Sequence, residues 1–224
     1  LKPSDEELNA ILDGYYGYNS NYPEGLYVAD STGQLITASE STKKESDVTN
    51  STWYKEGLTR VNMAVGSAYQ NADGVNVISA SGILNDGSDK VRVISADMTL
   101  DRIAIIVNSF IEMNDAEAFL VDKTSGVILA NRDSSLISQT LGAEGQSHFY
   151  QLTAEKAAEK DYNFATLDGN MTVFQEVDGT NWLLISYIPT SIVLSDLTQL
   201  RNIMIVISVI SVSYTHLTLP TNSR

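Results

Sequence analysis

Four side chains in the first half of the sequence, Trp53, Tyr69, Asn71 and Asp97, could converge on a small polar ligand. Trp53 offers an indole face that stacks on a flat or cationic group, with Tyr54 beside it as a weaker second aromatic. Tyr69 carries a phenol that donates a hydrogen bond, and Asn71 both donates and accepts. Two residues apart, they share one face of an extended segment. Asp97 ends the apolar run Ile94-Ser95-Ala96-Asp97. A carboxylate at a strand end that faces an interior needs a bound cation or an N–H donor. Each residue also has a plainer use. Asp97 could cap the helical stretch that follows Thr99. Trp53 and Tyr54 could simply pack where a loop enters a helix, and Asn71-Ala72-Asp73-Gly74 reads as a surface turn. Together the four make an aromatic, weakly acidic pocket without a cation of its own. Lys43, Lys44 and Lys55 are the nearby lysines in sequence and are expected on the solvated surface. Such a pocket favours amines, ammonium-bearing metabolites or N–H-rich rings such as nucleobases over simple carboxylates.

Composition removes most other chemistries. The 28 acidic and 14 basic residues give a net charge of −14, which repels phosphate backbones and argues against a nucleic-acid partner. The absence of Cys excludes disulfides, zinc–thiolate sites and thiol catalysis. Two histidines, His148 and His216, leave little material for a metal centre or a triad. Asp86–Asp89 lacks the ligand density of a calcium loop. No phosphate-binding glycine loop, nucleophile elbow or metalloprotease motif is present. No catalytic residue, metal or cofactor is implied.

An internal repeat sets the elements that must position these residues. Tyr27-Val-Ala-Asp-Ser-Thr-Gly-Gln-Leu-Ile-Thr-Ala38 matches Phe119-Leu-Val-Asp-Lys-Thr-Ser-Gly-Val-Ile-Leu-Ala130, with Asp30/Asp122, Thr32/Thr124, Ile36/Ile128 and Ala38/Ala130 at a spacing of 92. Each copy reads as strand, Asp-x-Thr turn, strand. Trp53-Tyr54 is echoed by Phe149-Tyr150, Asp73-Gly74 by Asp168-Gly169, and Asp86-Gly87 by Asp178-Gly179. Asp-Gly between alternating apolar runs signals a hairpin. Each copy is therefore expected to be a hairpin, a helical excursion and three more strands, an α+β, PAS-like antiparallel sheet. Asp97 has no carboxylate counterpart; Ile188 is its expected equivalent.

Residues 1–21 are expected to hold a long N-terminal helix, at 4–19, with Ser4 as its cap. Residues 22–105 form the first module, and 106–188 the rest of a linking helix, predicted over Thr99–Met113, with the second module. Residues 189–212 continue as an exit helix into the apolar run 202–212. That run is shorter than the roughly 20 residues of a membrane span and is expected to be the start of a truncated one. Residues 213–224 share no pattern with the rest and are expected to be a non-native tail. Leu1 in place of Met suggests a chain excised from something longer.

The ordered set Asp47…Trp53-Tyr54-Lys55, Tyr69-Gln-Asn71…Asp73-Gly74, Ile94-Ser-Ala-Asp97, Ala118-Phe-Leu-Val-Asp122…Gly126 and Gly179-Thr-Asn-Trp182…Pro189 resembles the double Cache domain. That domain is the extracytoplasmic sensor region of methyl-accepting chemotaxis receptors and related transmembrane signalling proteins. The resemblance implies a small-molecule ligand in the distal module, a homodimer in the full-length receptor, and flanking transmembrane helices. It also implies a chemoreceptor output, with a histidine kinase or cyclic-dinucleotide enzyme as the alternative. In the amino-acid-binding members an Arg two residues before the Trp holds the ligand carboxylate, while a Tyr, an acidic residue two positions later and a final Asp hold the ammonium. Trp53, Tyr69 and Asp97 match, but Ser51 stands at the Arg position and Asn71 at the acidic one. A hydroxyl cannot replace a bidentate Arg clamp, so a different nitrogen-containing ligand is expected. A cell-surface interaction domain without a small ligand is the competing expectation. A carboxylate hydrolase, which would need Asp73 and Asp97 to converge, ranks below both.

Overall fold

The computed structural model describes residues 3–109, 115–195 and 204–205. The described residues form two five-stranded antiparallel sheets of the same topology. The first module contains β1 (Tyr27–Asp30), β2 (Leu35–Ile36), α2 (Thr52–Gly57), β3 (Ala64–Gln70), β4 (Asn76–Leu84) and β5 (Arg92–Thr99) in the order β2-β1-β5-β4-β3. The second contains β6 (Glu117–Asp122), β7 (Ile128–Ala130), α4 (His148–Ala158), β8 (Ala165–Leu167), β9 (Asn170–Val177) and β10 (Trp182–Pro189) in the order β7-β6-β10-β9-β8. The α+β fold and the hairpin–helix–three-strand repeat hold in both copies.

Each module is preceded by a helix that covers one sheet face. Helix α1 (Asp5–Asp13) is entered through a capping box: the Glu7 N–H donates to the Ser4 hydroxyl, and the Ser4 N–H donates to the Glu7 carboxylate. These two bonds satisfy donors that a helix start leaves open. The helix ends well before residue 19, because Gly14 caps it and Gly17 takes a left-handed backbone at φ +63°. Leu8 and Leu12 bury against Val28, Ile36 and Ala38. Helix α3 (Leu100–Ser109) follows β5 without a loop and repeats this role between the modules. Leu100, Ile103 and Ala104 pack with Ile78 of the first sheet and with Leu120, Leu129 and Ala130 of the second. The opposite sheet faces carry the helical excursions. Val93, Ala29 and Tyr27 meet Trp53 and Tyr54 of α2, while Phe119, Val121, Leu183 and Ile185 meet Phe149 of α4. Helix α2 lies so close to the sheet that a Cβ at Gly57 would clash with Val93.

The Asp-x-Thr turns do the same work twice. Asp30 accepts from the N–H groups of Thr32 and Gln34 at 2.8 and 3.1 Å, and Asp122 accepts from those of Thr124 and Ser125 at 2.9 and 2.8 Å. The Asp-Gly hairpins match as well, with Gly87 and Gly179 both at φ +73°, a conformation that side-chain-free residues adopt at no steric cost. After Pro189 the chain turns helical over 190–195. No helix among the described residues is long and apolar enough to cross a membrane. Most of the expected span at 202–212, the end of the predicted linking helix and the tail at 213–224 lie outside the described residues.

Arg92 fastens α1 to the first sheet. It is buried, and its guanidinium donates to Asp86 at 2.7 Å and to Asp5 at 2.5 Å. Arg92→Met strands the nearly buried Asp86 carboxylate and is expected to cost about 3–5 kcal/mol in a urea unfolding titration. Asp5→Asn removes a half-exposed partner and is expected to cost less than about 1 kcal/mol. The Asp30 turn gives a pH signature. Burial pushes the Asp30 carboxyl up, but bonds from Lys90, the Thr32 hydroxyl and the Gln34 and Thr32 N–H groups outweigh it and bring the pKa down to about 2. A depressed folded value stabilises the fold above the unfolded pKa of about 4 and loses that stability as pH falls through 2. Unfolding free energy measured from pH 5 to 2 is therefore expected to fall more steeply for the wild type than for Asp30→Asn, which keeps the turn acceptor. Parallel curves would exclude Asp30 as the source.

Candidate functional site

Register alone brings four strands to one point. Tyr27 pairs with Ser95, Ser79 with Asp97, and Tyr69 with Val77. Directly paired residues and those two apart on a strand share a sheet face, so Tyr27, Tyr69, Ser79 and Asp97 all point to the α2 side. The Asp97 carboxylate is the centre. One oxygen accepts from the Tyr27 hydroxyl and from the Ser79 hydroxyl, the latter at 2.6 Å. The Tyr69 hydroxyl joins Ser79 at 2.7 Å and extends the chain of hydroxyls outward. The other Asp97 oxygen accepts from the Lys43 ammonium at 2.6 Å.

Lys43 corrects the expectation of a pocket without a cation. Its side chain is only 8% exposed, and its ammonium sits 4.1 Å above the centre of the Tyr27 ring. Lys44 and Lys55 are exposed as expected. The reason for Lys43 is positional. Residues 41–47 belong to no helix or strand, yet they run with alternating exposure, Ser41, Lys43 and Glu45 partly buried between exposed Thr42, Lys44 and Ser46. Glu45 thereby reaches the second aromatic: its carboxylate accepts from the Trp53 indole N–H at 2.8 Å.

Trp53 is fully buried, edge-on to Tyr27 at 4.8 Å and to Tyr54 at 5.7 Å between ring centres. It forms a wall of the site, and its polar edge is already engaged. Tyr54 is buried behind it. Burial, and then the neighbouring Asp97 charge, push the phenols of Tyr27 and Tyr69 well above their ordinary range, so both stay protonated donors. Ser51 stands at the entry to α2, where its hydroxyl donates to the Val48 carbonyl at 2.6 Å. Asn71 does not share an extended face with Tyr69, because β3 stops at Gln70. Its side-chain oxygen instead accepts from the N–H groups of Asp73 and Val75, closing the turn.

The second module shows what the site is not. With Asp30 set on Asp122, the strand pairings put Tyr27 on Phe119, Ser79 on Thr172 and Asp97 on Tyr187. The counterpart of Asp97 is thus Tyr187 rather than Ile188. The β4–β5 connection is longer than its counterpart, which shifts the numbering on the last strand. Tyr187 fills the position with a ring, 4.5 Å from Phe149 and 6.2 Å from Phe119, and its hydroxyl donates to Glu117 at 2.5 Å. One module closes this place with aromatic packing; the other builds a charged one.

Three further residues of the site, Tyr27, Ser79 and Glu45, were not among the sequence candidates. Tyr27 had a visible signal, a hydroxyl added where the repeat has Phe119. Ser79, Glu45 and Lys43 had none. Among the described residues no cluster of His, Asp and Glu could hold a metal.

Comparison with solved structures returns the same fold. The ligand-binding domain of Mlp24 with asparagine matches with 16% identity and a TM-score of 0.62, over 87% of this chain and 79% of that one. The ligand-binding domain of the Pseudomonas aeruginosa amino-acid chemoreceptor PctC, in complex with GABA, matches with 20% identity and a TM-score of 0.60, over 84% and 83%. An extracellular domain assigned to the histidine kinase mmHK1S-Z3 matches with 14% identity and a TM-score of 0.64, over 88% and 83%. A comparison with curated proteins finds no match. The Cache domain family model matches residues 2–197, and the chain therefore belongs to the Cache domain family, whose double-module members are extracytoplasmic ligand-binding sensors of membrane receptors.

Proposed function

We propose that the first module, residues 22–105, is the membrane-distal, ligand-binding half of a transmembrane receptor and takes a small nitrogen-containing metabolite: an amine, a nucleobase or a modified amino acid. The observation that carries the reading is the Asp97 carboxylate. Hydroxyl donors from β1 and β4 converge on one of its oxygens, while the other is paired with an ammonium, that of Lys43, which comes from outside the sheet. Trp53 and Tyr69 are the aromatic walls of this reading, with Tyr54 behind them and Ser51 and Asn71 at its margin. The ammonium-bearing ligands of the Mlp24 and PctC domains support a carboxylate that holds a cationic nitrogen. Lys43 adds a second reading, an amino acid whose carboxylate is met by Lys43 in place of an Arg at position 51.

Signalling follows from connectivity. Asp97 lies three residues before α3, which is packed against both sheets. The second module, in 106–188, passes the change to the helical segment that begins at Thr190. The receptor acts as a homodimer anchored by membrane helices, with a chemotaxis output; a histidine kinase or cyclic-dinucleotide enzyme is the alternative. The module is a receptor and is assigned no catalytic role.

A thermal-shift screen of amines, amino acids, nucleobases and small carboxylates tests this. A ligand at 100 times its dissociation constant stabilises by about 2.7 kcal/mol, which is about 5–10 °C for a chain of this size. A nitrogen-containing compound is expected to shift the wild type and to lose its effect in Asp97→Asn. A shift only with plain carboxylates, or one that survives Asp97→Asn, would overturn the reading.

A further inference from the structure

The donors around Asp97 differ in how they are held. Tyr27 and Ser79 stand on paired strands, so their positions are set by the ladder. Lys43 stands on the strap 39–47, which crosses the α2 side of the sheet outside any strand. The strap is fastened by side chains: the Ser39 N–H donates to Asp13 at 2.6 Å, and the Ser41 hydroxyl and Thr42 N–H donate to Glu24 at 2.5 and 3.1 Å. The bonds from the Ser39 and Thr42 N–H groups are exposed and that of Ser41 is partly buried, so water can replace most of them when the strap lifts. Lys43 itself reaches Asp97 through a flexible four-carbon stem.

We propose that Lys43 is a tethered occupant of the ligand site, its ammonium standing where the ligand's ammonium binds, and that the ligand is a primary ammonium compound that enters by displacing it. This rests on Asp97 being the ligand site. Three observations support the displacement. The Lys43 head group makes the contacts a small ammonium ligand would make, a charged hydrogen bond to Asp97 and a position over the Tyr27 ring. The second module shows that the fold fills this position with a neutral side chain, Tyr187, whose hydroxyl donates to Glu117. A buried ion pair at this place is therefore not needed to complete the sheet face and is a poor source of stability in its own right. The strap also brings Glu45 inward two residues on, where it engages the Trp53 indole N–H. Lifting the strap frees the carboxylate, the Tyr27 face and the Trp53 edge in one movement. The contact with Asp97 needs an N–H donor, so the geometry selects primary ammonium groups over quaternary ones, which carry a charge but no proton to donate.

The test replaces the tether with a free molecule. Lys43→Ala removes the atoms of n-propylammonium, so n-propylammonium chloride is the probe, with tetramethylammonium chloride and sodium propionate as controls at equal ionic strength. The readout is the thermal unfolding midpoint. Lys43→Ala is expected to melt below the wild type and to be restored by n-propylammonium alone. If the strap is closed nine-tenths of the time, the wild type needs about tenfold more of the amine for the same saturation. Equal response of the two proteins to the amine, lost in Asp97→Asn, overturns the tether while leaving the ammonium site intact. A response that persists in Asp97→Asn overturns the site itself. No response in a folded Lys43→Ala protein overturns the displacement, because an emptied ammonium position would then not accept an ammonium. Should Lys43→Ala fail to fold, Lys43→Met keeps the apolar stem and removes only the ammonium head, and ammonium chloride then replaces n-propylammonium as the probe in the same comparison.

Discussion

A carboxylate withdrawn from water has to be compensated by donors at close range, and the first module is arranged around that requirement at Asp97. Two hydroxyls and one ammonium satisfy it. The hydroxyls can do so only if β1, β5 and β4 pair in the observed register, since a slip of one residue would turn Tyr27 or Ser79 to the other face of the sheet. The same burial and charge keep Tyr27 and Tyr69 protonated, so both phenols remain able to donate. Hydrogen bonding, sheet register and phenol protonation are thus one interlocked condition rather than three separate features.

The duplicated architecture explains how such a site is tolerated. Three of the hydrophobic cores lie elsewhere, under α1, around α3, and between α4 and the second sheet, and the fourth, Ala29, Val48, Tyr54 and Val93 with Tyr27 and Trp53, backs the site itself. The second module is the aromatic version of the same plan, with Phe119, Phe149 and Tyr187 in contact where the first has Tyr27, Trp53 and Asp97. It provides a firmly packed base against which α3 bears. The polar module sits on the other side of that helix, with its carboxylate three residues from the helix start.

Much of this was legible in the sequence. The Asp-x-Thr and Asp-Gly turns recur because they solve the same local backbone problem twice, so element order and the two sheets followed from them. Asp97 stood out because a carboxylate ends an apolar strand run where the repeat has none, and Tyr69 because its phenol stands at a position that the family resemblance marks. Asn71 misled because the sequence that suggested a strand also carried stronger turn chemistry, and the turn won. Ile188 was set opposite Asp97 because loop length differs between the copies, which a fixed spacing cannot register. Lys43 was invisible for a deeper reason. Nothing in Ser41-Thr42-Lys43-Lys44-Glu45-Ser46 distinguishes one lysine from the next; only the path of the strap over a finished sheet makes one inward and the other outward.

That division of labour between sheet and strap bears on how such a module can diverge. The sheet residues are locked to one another by pairing, so a substitution at Tyr27, Ser79 or Asp97 disturbs several bonds at once. The strap residues answer to no ladder, and an exchange at Lys43 or Glu45 changes the charge that faces Asp97 and Trp53 without altering the frame that holds them. A lineage could therefore acquire a new chemical preference by editing a handful of codons in a single irregular segment, leaving the folded scaffold as inherited.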